Sequence, residues 1–243
     1  MRALILRLDA PLMSFGTVAV DNWRPSGEFP ALSAVTGLIG AALGYKRHET
    51  QRLQRLQERL RLAVRIDRRG ELMIDYQTVN LGKPWMDGSS RGVGWTTRHQ
   101  VETRKGQNVH GTHLRFRQYW ADCIATLAFR LEPETESPGL TEIAEAINYP
   151  VHPLYLGRKG CPPASPLLLE EQDVPSLYAA LENAARPKGM DKGPLLVQLP
   201  QEERGKEQEK IVRDQRDWAN QIHAGSRLAV TAMIDPAQEA DDE

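Results

Sequence analysis

Apolar and polar positions alternate from the start of the chain: Leu4, Leu6 and Leu8 lie two apart within residues 3–9, and Pro11 ends the run. A period of two is that of a strand with one buried face. Residues 21–30 hold two prolines and a glycine and read as loop. The period then becomes helical, with Val35, Leu38, Ile39 and Ala42 on one face, Ser33 as the expected cap and Gly44 as the stop. A second helix is predicted over 50–60, with Leu53, Leu56 and Leu60 inward and Arg52, Arg55 and Arg59 outward. Leu62, Val64 and Ile66 then alternate with Ala63, Arg65 and Asp67, a turn follows at 68–71, and 72–79 returns, which predicts a hairpin.

From about residue 80 to 115 the apolar period is lost among Gly82, Pro84, Gly88, Gly92 and Gly94. A stretch this long without period is functional or disordered. Residues 123–131 resume as a strand, and Leu140, Ile143, Ala144 and Ile147 mark an amphipathic helix ended by Pro150. Strand, helix, hairpin, strand and helix is the order of a split βαβ, ferredoxin-like domain. Beyond it, a helix near 176–185, a Pro/Gly/Lys linker at 187–194 and short strands near 195–199, 210–213 and 228–234 predict a small β-rich unit. The expected class is therefore α+β: a ferredoxin-like, RRM-like domain over 1–150 with an insertion at 80–115, and a C-terminal domain over 151–243.

Composition changes that picture only through charge. The longest apolar candidate, 31–45, is broken by Ser33, Thr36, Gly37, Gly40 and Gly44, short of the roughly 20 residues that span a bilayer. The N-terminus reads as a strand rather than a signal peptide, so no membrane association and a cytoplasmic location are expected. The net charge of −1 conceals an asymmetry: residues 1–130 carry 20 Lys and Arg against 11 Asp and Glu, and residues 131–243 carry 11 against 21. A polyanion partner for the first half follows as a hypothesis. The last nine residues hold five carboxylates and no cation and read as a solubilising end. Cys123 and Cys161 show no metal or redox spacing and are expected to be reduced thiols.

Candidate chemistry is sparse. His110 and His113 invite a metal reading, yet zinc needs three or four ligands and no third is placed by local spacing. With Tyr119 the same histidines would suit metal-free RNA cleavage, a general base taking the 2′-hydroxyl proton. No nucleotide-cofactor, phosphate-loop or hydrolase motif occurs, and no cofactor is expected. Three segments fit nucleic acid better. Gly37 and Gly40, preceded by Arg24, Ser26, Gly27 and Ser33, offer a helix N-terminus to a phosphate, or else merely allow close helix–sheet packing. Residues 114–120 interleave Arg115 and Arg117 with Phe116, Tyr119 and Trp120, supplying phosphate clamps and stacking faces, or a strand with aromatics inward. Arg158, Lys159 and Gly160 make a phosphate-sized nest or a tight turn.

In this order the segments Leu4-Ile-Leu-Arg-Leu8, Arg24-Pro-Ser-Gly-Glu-Phe-Pro30, Gly37-Leu-Ile-Gly-Ala-Ala-Leu-Gly44, Asp75-Tyr-Gln-Thr-Val79, Phe116-Arg-Gln-Tyr119 and Tyr155-Leu-Gly-Arg-Lys-Gly-Cys-Pro162 carry a likeness. The chain resembles the CasD-type subunits of Cascade, the type I-E CRISPR effector, within the RAMP superfamily of RNA-binding ferredoxin-like proteins. The resemblance covers about two thirds of the chain, and its last motif is the most specific. It implies a non-catalytic subunit that caps the 5′ handle of CRISPR RNA, with 80–115 as a thumb over the RNA. The implied partners are the large PAM-sensing subunit and the terminal backbone subunit, with target DNA engaged only indirectly. The implied RNA-binding residues are Arg24, Ser26, Gly27, Ser33, Gly37, Gly40, Arg98, Arg115, Phe116, Arg117, Tyr119, Arg158, Lys159 and Gly160. The length of the 80–115 segment and the acidic tail depart from the family pattern. A second reading comes from subtype I-C, where the related subunit is itself the CRISPR RNA endonuclease; Tyr45, His48, His110, His113 and Tyr119 are its candidates. An RRM-type binder of cellular RNA is disfavoured because neither strand carries the aromatic RNP pattern.

Overall fold

The structure is a computed structural model that describes residues 1–19, 22–80, 93–95, 101–103, 112–190, 192–203 and 209–236, with the backbone alone at 79–80, 93–95, 101–103 and 112–113. In chain order the elements are β1 (Arg2–Asp9), β2 (Leu12–Met13), β3 (Trp23–Arg24), α1 (Leu32–Ala42), α2 (Thr50–Arg59), β4 (Leu60–Arg68), β5 (Glu71–Asn80), β6 (Val93–Trp95), β7 (Val101–Thr103), β8 (Thr112–Ala121), β9 (Ile124–Leu131), α3 (Leu140–Asn148), β10 (Leu168–Asp173), α4 (Leu177–Asn183), β11 (Leu195–Pro200), β12 (Glu209–Val212) and β13 (Arg227–Ile234). The described chain divides into two compact units: 1–18 with 26–73 and 119–243, and 19–25 with 74–118.

The first unit is built on a seven-stranded sheet in the order β10-β1-β9-β4-β11-β13-β12. Its first four strands, each antiparallel to the next, have the 4-1-3-2 order of a ferredoxin-like sheet. Strand alternation sorts the side chains between two cores. Leu4, Leu6 and Leu8 join Leu62 and Val64, Leu127 and Phe129, and the buried faces of α1, α2 and α3 on one side. Ala3, Ile5, Ala63 and Ala128 meet Leu177, Ala180 and Leu181 of α4 on the other. Small residues line that second face because a helix lies directly against it.

Several expectations need correction. The segment 72–79 does not form a hairpin with β4, because both edges of β4 are taken by β9 and β11, and β5 pairs with β8 in a separate sheet. The boundary expected at residue 150 is absent: β11, β13 and β12 extend the sheet of the ferredoxin-like strands, so the C-terminal segments are not a domain of their own. Arg59 does not face water. It is fully buried, and its guanidinium donates to the carbonyls of Pro133 (3.0 Å) and Pro138 (3.1 Å) and to that of Glu136.

Edge strand β10 went unpredicted, its Glu170, Glu171 and Asp173 giving no apolar run. An edge strand is held by its backbone ladder, and this one alternates half-buried and exposed positions. The expected thumb falls largely outside the described residues, as does most of the acidic tail; within 80–115, β6 and β7 pair antiparallel. Both cysteines are free and buried, burial pushing the Cys123 thiol up to about 12 and the Cys161 thiol upward as well. Among the described residues no helix is long and apolar enough to cross a membrane.

Candidate nucleic-acid interface

In the first unit a surface loop is organised by the short segment that follows β1. Ser14 donates its N–H to Leu156 O (3.0 Å), Leu156 N–H to Cys161 O (2.8 Å), and Cys161 N–H to Arg158 O (2.9 Å), closing a small ring of backbone around residues 156–161. The Arg158 guanidinium lies over the ring of the buried Tyr119, 4.5 Å from its centroid. Lys159 and Gly160 are exposed, and their backbone N–H groups make no hydrogen bond among the described residues. Such a loop offers oriented amides and two cations to an anion.

Of the two glycines that flank Arg158 and Lys159, the one that this geometry requires is Gly157, not the Gly160 counted among the expected binding residues. Gly157 sits at φ +101°, and a Cβ there would fall 1.8 Å from the Ser14 carbonyl oxygen, whereas one on Gly160 meets nothing within 4 Å. Gly157→Ala is therefore expected to destabilise the chain by more than about 1–2 kcal/mol, the cost of the left-handed backbone alone, while Gly160→Ala melts like wild type. Equal melting temperatures for the two variants would contradict this placement.

Next to the loop, Ser26 and Gly27 are tied to the same segment. Ser26 Oγ accepts the Phe15 N–H (2.9 Å), Gly27 N–H donates to Phe15 O (2.7 Å), and Gly27 O accepts the Trp120 indole N–H (2.6 Å). These groups therefore position the loop they belong to.

The α1 terminus differs from expectation. The helix starts at Leu32 with Ala31 as its cap position, and Ser33 lies inside the first turn without capping it. Asp214, far away in sequence, supplies the cap: its carboxylate accepts the Leu32 N–H (3.2 Å) and its carbonyl the Ser33 N–H (3.0 Å), while Arg227 pairs with the same carboxylate at 2.9 Å. The donors that a phosphate would use are thus already engaged by a carboxylate, the group that a helix N-terminus favours. Gly37 and Gly40 serve packing: a Cβ would meet Trp218 at 3.6 Å from Gly37 and Leu53 of α2 at 2.6 Å from Gly40.

In the second unit β3 runs parallel to β8, with Trp23 opposite Phe116 and Arg24 opposite Arg117. Trp23 and Phe116 stack with centroids 4.9 Å apart and planes at 18°, and Tyr76 of β5 tilts against Phe116 at 5.2 Å. Trp23 is 46% and Tyr76 54% exposed. Phe116, with Trp23 stacked on it and Tyr76 tilted against it, makes an aromatic cluster whose two exposed outer rings, Trp23 and Tyr76, are faces on which bases can stack. Along β8, Arg115 donates to the Asn22 side chain and Arg117 has no hydrogen-bond or ion-pair partner among the described residues. The Arg24 guanidinium donates to Trp23 O (2.8 Å). Sequence reasoning missed Trp23 and Tyr76; the signal for Trp23 was its place directly before Arg24-Pro25, but only the parallel pairing brings it to Phe116.

Of the remaining candidates, Arg98, His110 and the side chain of His113 lie outside the described residues. Tyr45 is covered by Arg52, whose guanidinium carbon is 3.9 Å from the ring centroid, Tyr119 is buried beneath Arg158, and His48 is exposed. Among the described residues no group of three or more metal-ligating side chains comes together.

Comparison with known proteins supplies the context for this surface. The profile of the family described as "CRISPR-associated protein (Cas_Cas5)" matches residues 3–230. The chain is 35% identical over 170 residues to the CRISPR system Cascade subunit CasD of Escherichia coli (strain K12), covering 68% of this chain and 69% of that protein. A chain of a CRISPR RNA-guided surveillance complex superposes with a TM-score of 0.71 at 21% identity, covering 98% of this chain and 95% of that one. A second solved structure, of a Cas protein, gives a TM-score of 0.62 at 25% identity over 97% of this chain and 95% of its own.

Proposed function

The chain belongs to the Cas5 family of CRISPR-associated proteins, and from that premise we propose that it is the CRISPR RNA-binding subunit of a type I-E Cascade complex, holding the repeat-derived 5′ handle of the guide. The observation that carries the reading is the 156–161 loop, which presents Lys159 and two unengaged amides at the surface of a chain 35% identical to CasD. Arg117 on β8 adds a cation, and the Trp23–Phe116–Tyr76 platform adds stacking faces. Backbone and splayed handle bases are the features that the groups of each unit, taken by itself, recognise, target sequence being read by guide pairing. In this role the chain works in the cytoplasm and adjoins the large PAM-sensing subunit and the terminal backbone subunit, meeting target DNA only through them.

Binding of labelled RNA carrying the repeat-derived 5′ segment tests the reading. Lys159→Gln and Arg117→Gln are each expected to weaken binding and to flatten its dependence on salt by about 0.7 in log–log slope per lost phosphate contact. Unchanged affinity and slope in both variants would remove the support for handle binding. The RNA is expected to stay intact in the same samples; a discrete cut abolished by His113→Ala would establish the endonuclease reading instead.

A further inference from the structure

A second cationic constellation lies in the first unit, where residues 213–223 cross the loop between α1 and α2. Arg47 donates through Nε to Gln221 Oε1 (3.1 Å), and Arg216 donates through Nη2 to the same oxygen (3.1 Å) and to the Gln221 carbonyl (3.0 Å). Two guanidinium groups therefore converge on one neutral amide oxygen. Gln221 is held for this at φ +58°, a left-handed backbone that a non-glycine residue adopts only under constraint. Beside them, Arg216 Nε and His223 Nδ1 are buried and have no hydrogen-bond partner among the described residues. Arg216 has no carboxylate partner there either; its other neighbour is the Trp218 ring, 5.4 Å from the guanidinium carbon.

A half-buried guanidinium such as that of Arg216, without a carboxylate partner among the described residues, is costly unless an anion joins it, and buried donors without acceptors add the cost of their desolvation. Burial, and after it the Arg47 charge, push the Arg216 guanidinium downward, and burial together with Arg216 holds the His223 imidazole below its ordinary range against the opposing pull of Asp214. Asp214 is not free to neutralise Arg216, since it caps α1 and pairs with Arg227.

We propose that Arg47, Arg216 and His223 form an anion seat that takes a phosphate group of a nucleic-acid strand, separate from the 156–161 loop. A strand suits the seat because cations continue past it. The His223 ring lies against Gly16, where a Cβ would be 3.6 Å from it. Gly16 in turn lines a cleft of 210 Å³ whose wall carries the exposed cations Lys210 and Arg213. The two carboxylates of that cleft, Glu28 and Asp214, are already paired with Arg69 and Arg227. Gly16 is also only two residues beyond Ser14, on which the 156–161 loop rests.

The test uses the full chain and a labelled oligouridylate with no repeat sequence, measured across a range of salt. Arg47→Gln, at an exposed position that keeps the fold, and Arg216→Gln are each expected to weaken binding about tenfold, the scale of one lost charge-assisted contact, and to lower the salt slope by about 0.7. Inorganic phosphate is expected to raise the melting temperature of the wild-type chain above that in chloride of equal ionic strength, and not that of Arg216→Gln. Unchanged oligouridylate affinity and slope in both arginine variants overturn the inference. Phosphate protection without any change in oligouridylate binding overturns the strand as ligand and leaves a seat for free phosphate. Binding lost in Lys159→Gln but kept in both arginine variants also overturns it while leaving the handle reading intact.

Discussion

Arg65→Met is expected to destabilise the chain by about 3–5 kcal/mol, the scale for removing one partner of a buried ion pair. Arg65 is wholly enclosed between the sheet and α4. Its Nε donates to Asp67 (2.6 Å), and its Nη groups donate to the carbonyls of Ala184 (2.7 Å), Ala185 (3.2 Å) and Leu181 at the end of α4. One guanidinium thus satisfies a carboxylate and the unpaired carbonyls of a helix C-terminus, where a cation also suits the helix dipole. Methionine fills the volume and takes this donor from all four acceptors, of which only Ala185 O, through Arg7, and Asp67, through the Thr126 hydroxyl, keep another side-chain donor.

The defect is expected to depend on pH. Burial pushes the Asp67 carboxyl up, and Arg65 is the first group that opposes this. Without Arg65 the folded carboxyl takes up a proton well above the range in which the unfolded chain does. A raised folded pKa stabilises below the unfolded value and is lost as pH rises through the folded one. Denaturant midpoints should therefore bring Arg65→Met closest to wild type in acid and furthest from it at neutral pH. A loss under about 1 kcal/mol at neutral pH would show that water reaches the site and that the pair is not buried as described.

The second large effect concerns binding. Trp23→Ala and Phe116→Ala are each expected to lower the affinity for handle RNA by about 10- to 100-fold, from the 1–3 kcal/mol that one stacked base contributes. The salt slope should stay at the wild-type value, because no phosphate contact is lost. That pairing of lower affinity with unchanged slope separates stacking from charge, and from unfolding, which would also depress the melting temperature. Trp23→Phe keeps a ring on Phe116 and should retain most of the binding. If Trp23→Ala and Tyr76→Ala both bind like wild type, the platform takes no base and its rings serve the second unit alone.

Much of the scaffold was legible beforehand because local periodicity reports which face of an element is buried. Leu4, Leu6 and Leu8 fixed β1 and its inward face, Leu53 and Leu56 fixed α2, and Ser176 was read as the start of α4, where its hydroxyl accepts the Ala179 N–H (3.0 Å). The site was less legible. Lys159 and Arg158 stand in a loop recognised from its motif, but the platform needs Trp23, Tyr76 and Phe116, which come from three separated segments.

The class of fold, the order of its main elements, the basic bias of the first half and the family likeness could all be read from the residues alone, since each of these is written in composition, period or contiguous motif. The tertiary structure alone decided pairing and occupancy. Strand β5 reads as the partner of β4, yet a strand has only two edges and β4 spends both on β9 and β11. The α1 terminus reads as either a phosphate seat or a closely packed helix, and Asp214, which fills it from 182 residues away, decides against the seat. Arg59 reads as a solvent-facing cation, yet it folds into the carbonyls of the 133–138 loop, and Arg65, read only as one position of an alternating strand, folds into those of α4. Periodicity says which way a side chain points, but the group that meets it there is set by the long-range packing of segments whose spacing no local pattern encodes.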